Sequence, residues 1–146
     1  MAHTLLAAHS GFRWLVLVAG LLAVVKMIRG SAKSSPWTPA DRGALVLFTV
    51  SVDIQLLLGL AVFFTSPIVG PALGDLAASL QHPEVRTIVI VHPFTMLLAL
   101  VLAHAGSVAA KGAPSDQARF DRAALLVTLS LGLLVLGIPW SRLFVT

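Results

Sequence analysis

The chain of 146 residues contains no cysteine. That excludes disulfides, thiolate metal sites, iron–sulfur clusters and covalently attached c-type haem. Charge is also scarce. Only 11% of residues are charged, against about 25% in soluble domains. No basic leader or small-residue cleavage site marks the N-terminal MAHTLLAAHSGFRW as a secretory signal, so the first apolar run is expected to be retained. No internal repeat, low-complexity tract or second domain is evident, and residues 1–146 read as one domain.

What is present is apolar. The composition is 58% hydrophobic, with a mean hydropathy of +0.95. A water-soluble core of this length could not bury so much Leu, Val and Ala, so the lipid bilayer is the expected surroundings. Four continuous apolar runs stand out, at about Phe12 to Ile28, Gly43 to Thr65, Ile88 to Ala109 and Ala123 to Ile138. Each is close to the roughly 20 residues that a helix needs to cross about 30 Å of hydrocarbon. They lack the period-two alternation of barrel strands. The expected fold is all-α, a four-helix transmembrane bundle.

The net charge of +4 does not point to nucleic acid, because the basic residues gather at span ends. Lys26, Arg29, Lys33, Arg42, Lys111, Arg119 and Arg122 flank the first and third connections; Arg13, Arg86 and Arg142 lie on the opposite side. Seven against three predicts both connections cytoplasmic and both termini outside, in a bacterial inner membrane. Trp14, Trp37 and Trp140 suit an interfacial belt. The middle connection, about Ser66 to Thr87, is long and contains LGDLAASL, a candidate surface helix or lid. Gly20, Gly59, Gly106, Gly132 and Gly137 are expected to permit close helix contact.

Two histidines carry the functional expectation. His9 and His92 stand at the outer ends of spans one and three, which lie diagonally opposite if the spans surround the bundle in sequence order. Two facing imidazoles at one depth are what a haem iron requires. Arg13, one turn from His9, and Arg86 would then meet the propionates, since a guanidinium fork suits a carboxylate. Other readings stay open: His9 caps a helix while Arg13 snorkels to lipid phosphates, and His92 is hydrogen-bonded to a neighbouring helix. His92 precedes Pro93, which either opens the helix or kinks one that began near Val85.

His104, twelve residues on and about 18 Å deeper, lacks a span-one partner for a second haem, and is expected to be interfacial or hydrogen-bonded. His82 is expected to be solvated, and His3 to lie in a mobile terminus. Asp53, near Gln55 in the middle of span two, should face the bundle, with Ser51, Thr128 and Ser130 as candidate partners. It is a proton-handling or quinone-contacting group, or an interhelical hydrogen bond that fixes packing.

HSGFRWLVL, DIQLLLGL, VHPFTMLLAL and IPW, in this order and spacing, resemble a family of small four-span bacterial membrane proteins often labelled cytochrome b. The resemblance implies b-type haem and places His9 and His92 on the HSG and HP positions. Where the family more often has histidine in an HxQ pattern, this chain has Asp53. The leading expectation is therefore a haem b-binding electron-transfer subunit, with a quinone as possible redox partner and other membrane-protein subunits as neighbours. The alternatives are a cofactor-free accessory subunit of a larger complex and a small transporter or proton-conducting bundle centred on Asp53. No inverted repeat supports transport.

Overall fold

The computed structural model describes residues 2–140. Arg142, counted above for orientation, lies outside them. Four helices are long and apolar enough to cross a membrane. They are α1 (Ala2–Ala32), α2 (Pro39–Thr65), the run from Pro83 to Lys111, and the helix Asp116–Gly137. Between α2 and the third span lie two short helices, α3 (Val69–Gly74) and α4 (Leu76–Ser79), and the span itself opens with α5 (Pro83–Arg86). A π-helical turn, Thr87–Val91, then leads into α6 (His92–Lys111), and α7 (Asp116–Gly137) follows. The described residues are helical spans and their connections, as the apolar runs require. Side chains facing lipid account for the many large exposed apolar residues, such as Leu57, Phe94 and Leu136.

The first span is longer than hydropathy alone marks. α1 begins at residue 2, ten residues before Phe12, because AHTLLAAHSG offers no proline to stop a helix. His9 is thus an interior helical residue and not a cap. His3 is helical too, and exposed, in the first turn of α1.

Each connection at the cation-rich end is short and tied down. Thr38 precedes Pro39 at the start of α2, and its backbone N–H and hydroxyl both donate to the Asp41 carboxylate, at 2.9 and 2.6 Å. Lys26 of α1 pairs with the same carboxylate at 2.9 Å. Ser115 caps α7, accepting from the Ala118 N–H. Asp116 accepts from the Trp37 N–H at 2.9 Å, and Asp121 accepts from Ser31 and Gln117.

Around the bundle, α1 packs on α2 and α7, and α6 packs on the same two helices. Spans one and three are therefore diagonal. Val16, Ala23, Met27, Leu45, Phe48, Ala103, Phe120 and Val127 fill the centre. Small residues set the spacing: a Cβ on Gly20 would sit 2.8 Å from the Phe48 ring, and one on Gly106 would sit 3.1 Å from Val127. Gly132 departs from expectation, since a Cβ there would meet nothing within 4 Å. Ser130, fully buried, donates to the Ala99 carbonyl at 2.7 Å and joins α7 to α6.

Candidate functional site

The π turn fixes the aim of His92. Pro93 has no N–H, so a regular helix through it would lose a rung. The chain instead widens for one turn, and the His92 N–H bonds the Thr87 carbonyl, five residues back. Both expectations for Pro93 are met in part: the helical run begins at Pro83, close to the Val85 start, and Pro93 stands in the first turn of α6. His92 Nδ1 reaches the Gly137 carbonyl of α7 at 2.8 Å. A carbonyl only accepts, so Nδ1 carries the proton and Nε2 keeps its lone pair.

His9 approaches from the diagonal helix. Its ring centre lies 6.2 Å from that of His92, with the planes at 87°. Gln55 of α2 holds the His9 turn, its amide nitrogen donating to the His9 carbonyl at 3.0 Å and lying 3.3 Å from ring Nδ1. One turn on, Gly59 leaves room for the ring; a Cβ there would stand 3.1 Å from His9 Cε1. Gln55 was expected to serve with Asp53, but it belongs to His9 instead.

The two imidazoles share a cavity of about 350 Å³. Apolar side chains make up most of its wall, including Val16, Leu17, Met96 and Leu134, and Ser66, Pro67 and Ile68 come from the middle connection. That connection folds back through a small cluster of Val69, Ala72 and Val89. The polar groups on the wall include His3, Ser10, Arg13 and Gln55. Arg13 Nε and Gln55 Oε1 are buried without a hydrogen-bond partner. Such groups are costly to leave unpaired. The Arg13 guanidinium lies 5.9 Å from the Trp14 ring centre, with no carboxylate at ion-pair distance among the described residues.

Other expected site residues lie elsewhere. Arg86 is exposed at the end of α5 and does not line the cavity. His82 is exposed, as expected. Asp53 is two residues from Gln55, about 200° around the helix, so it cannot share the face turned to His9. Its carboxylate meets His104 Nε2 at 2.8 Å, on a face where the two side chains remain 42% and 46% exposed. The expected partners are otherwise engaged or absent. Ser51 donates to the Phe48 carbonyl and Ser130 to Ala99, while Thr128 is exposed on α7. The Asp53 and His104 side chains each lean toward the N-terminus of their own antiparallel helix, and so toward each other.

Among the described residues no three His, Cys, Asp or Glu side chains come together as a metal site. The site is a two-histidine one. No family model matches the chain, and neither a curated protein nor a solved structure does.

Proposed function

We propose that the chain is a haem b-binding electron-transfer subunit of a bacterial cytoplasmic membrane, with His9 and His92 as axial ligands near the extracytoplasmic face. The observation that carries this reading is the pair of diagonal imidazoles. With each ligating nitrogen about 2 Å from a shared iron and each ring centre about 1 Å beyond, two such rings stand about 6 Å apart. The observed separation is 6.2 Å. A ligating histidine ordinarily donates its other N–H to a carbonyl or carboxylate, which is what His92 does with Gly137.

The remaining residues fit the group. The unpaired Arg13 Nε favours a propionate on the cavity wall, and the apolar lining favours a macrocycle. Haem b, when bound, carries one electron as its iron changes oxidation state. Around it, Gln55 and Gly59 hold the His9 ring in place, Gly137 fixes the His92 tautomer, and the Ser66–Ile68 turn shields the cavity from water. Two protein ligands leave no open iron position, so electron relay suits the site better than oxygen chemistry.

Basic residues at the α1–α2 and α6–α7 connections support placing that end in the cytoplasm. The half-exposed Asp53–His104 pair, at mid-span depth, supports a protein neighbour on the α2/α6 face, because lipid offers it no partner.

Titration of the purified apoprotein with haemin, followed by reduced-minus-oxidised spectra, tests the proposal. A low-spin bis-histidine spectrum is expected. It should be lost in His9→Ala and in His92→Ala and kept in His104→Ala. Failure of the folded protein to bind haem would overturn this reading in favour of a cofactor-free accessory subunit.

A further inference from the structure

A second concavity, of about 410 Å³, lies at the cation-rich end of the bundle, far from the histidines. Trp37, Thr38 and one face of the start of α2 meet Ser107, Ala110 and Lys111 at the end of α6 and Arg119 of α7. Three cations from three helices, Arg42, Lys111 and Arg119, line it, and no acid does. The acids of this end are already engaged within the chain. Asp41 is held by Lys26 and Thr38, and Asp121 by Ser31 and Gln117. Asp116 takes the Trp37 N–H and one nitrogen of Arg119 at 3.3 Å. Arg119 Nε is left buried with no partner. Arg42 and Lys111 have no acid at ion-pair distance among the described residues. Trp37, packed on Phe120 with ring centres 4.8 Å apart, makes an aromatic wall at interfacial depth. Leu45, Val46 and Ala110 continue the wall along the helices toward the apolar middle of the bundle.

We propose that this pocket binds the phosphodiester headgroup of an anionic phospholipid, with Arg42, Lys111 and Arg119 around the phosphate and an acyl chain along the exposed Val46. A topological bias toward cations accounts for their presence at this end but not for their convergence. Arg29, Lys33 and Arg122 share the end, are exposed, and do not line the pocket. Basic pockets between spans at the cytoplasmic boundary are where acidic headgroups dock. An unpaired buried Nε beside two unneutralised cations favours an oxyanion, and the apolar continuation favours one attached to a lipid.

Native mass spectrometry of the detergent-solubilised protein tests this, using phosphatidylglycerol and phosphatidylcholine with identical chains. Retention of phosphatidylglycerol should exceed that of phosphatidylcholine. Each cation near an acidic headgroup contributes about fivefold in affinity, so replacing all three with Gln should erase a preference on the order of a hundredfold. The charge-matched triple Arg29→Gln, Lys33→Gln, Arg122→Gln should keep it. If the pocket triple does not fold, Lys111→Gln alone, at an exposed helix end, should cut the preference about fivefold. Equal retention of the two lipids, or equal loss in both triples, would overturn the proposal. Displacement of phosphatidylglycerol by excess inorganic phosphate would assign the pocket to the free ion and overturn it as well. Haem binding at the other end is not involved in any of these readouts.

Discussion

Gly59 separates stability from cofactor binding. It lies in the interior of α2, where glycine costs about 1 kcal/mol relative to alanine. On propensity alone Gly59→Ala should stabilise the protein. The added Cβ, however, stands 3.1 Å from His9 Cε1 and 3.5 Å from Nδ1, so the ring must give by a few tenths of an ångström. A ligand constellation tolerates about 0.5 Å of misplacement before function suffers. Gly59→Ala should therefore fold at least as well as the parent and bind haem more weakly, by about tenfold, equivalent to about 1.4 kcal/mol. Gly59→Leu fills the space of the imidazole and should abolish the bis-histidine spectrum with both histidines still present. Gly132→Ala is the control, because its Cβ meets nothing. It should deliver the helix gain of up to about 1 kcal/mol with haem affinity unchanged. Thermal unfolding of the apoprotein in detergent and haemin titration read the two effects separately. Unchanged haem affinity and spectrum in Gly59→Leu would refute the assignment of His9 as a ligand held against this glycine.

Asp53→Asn should keep the link to His104 and leave unfolding within about 0.5 kcal/mol of the parent, whereas Asp53→Leu should lose the pair, worth about 0.6 and at most about 1.7 kcal/mol between membrane helices. A double-mutant cycle with His104→Ala measures it, and zero coupling would show that the pair does not join α2 to α6. Phe48→Ala empties roughly 100 Å³ at a fully buried position and should cost about 2 kcal/mol in steric-trap or denaturant unfolding, below the water-soluble range because lipid already solvates the unfolded helix. Reporter fusions after Ser34 and after Leu80 should give opposite results, with Ser34 cytoplasmic. The reverse result would invert the assignment of faces.

The spans were legible because a bilayer imposes a single rule, that backbone groups be satisfied within each segment, and twenty apolar residues in a row answer it. The diagonal placement of His9 and His92 follows from chain order around the bundle. Helix rotation was harder to see. Hydropathy is nearly uniform around a span, so nothing in composition announces which way Asp53 points. The signal lay in spacing: Gln55 and Gly59, one turn apart, define the face toward α1, and Asp53, two residues off, must leave it. DIQLLLGL held both facts, yet depth alone paired Asp53 with Gln55. Gly137 was read as a packing glycine, and its carbonyl proves to be the partner of His92 Nδ1. A backbone acceptor leaves no mark in the sequence.

Both ends of the bundle hold buried polar atoms with no partner among the described residues, Arg119 Nε and Gln117 Oε1 at the cation-rich end and Arg13 Nε and Gln55 Oε1 at the other, so what distinguishes them is the company these atoms keep. At the cation-rich end, three aspartates tie the connections to the helix starts within the chain itself. At the other end Arg13 Nε and Gln55 Oε1 are buried and unpaired around a cavity with two histidines on its wall. Packing of α1 against α6 could have closed that cavity. Instead the π turn before Pro93 sets the position of His92, and Gly59 leaves room for the His9 ring. No Asp or Glu lines the cavity, so the Arg13 Nε donor would need an anion from outside the described residues. The proposed haem would supply one through its propionates, whereas a cofactor-free accessory subunit would leave that donor unpaired.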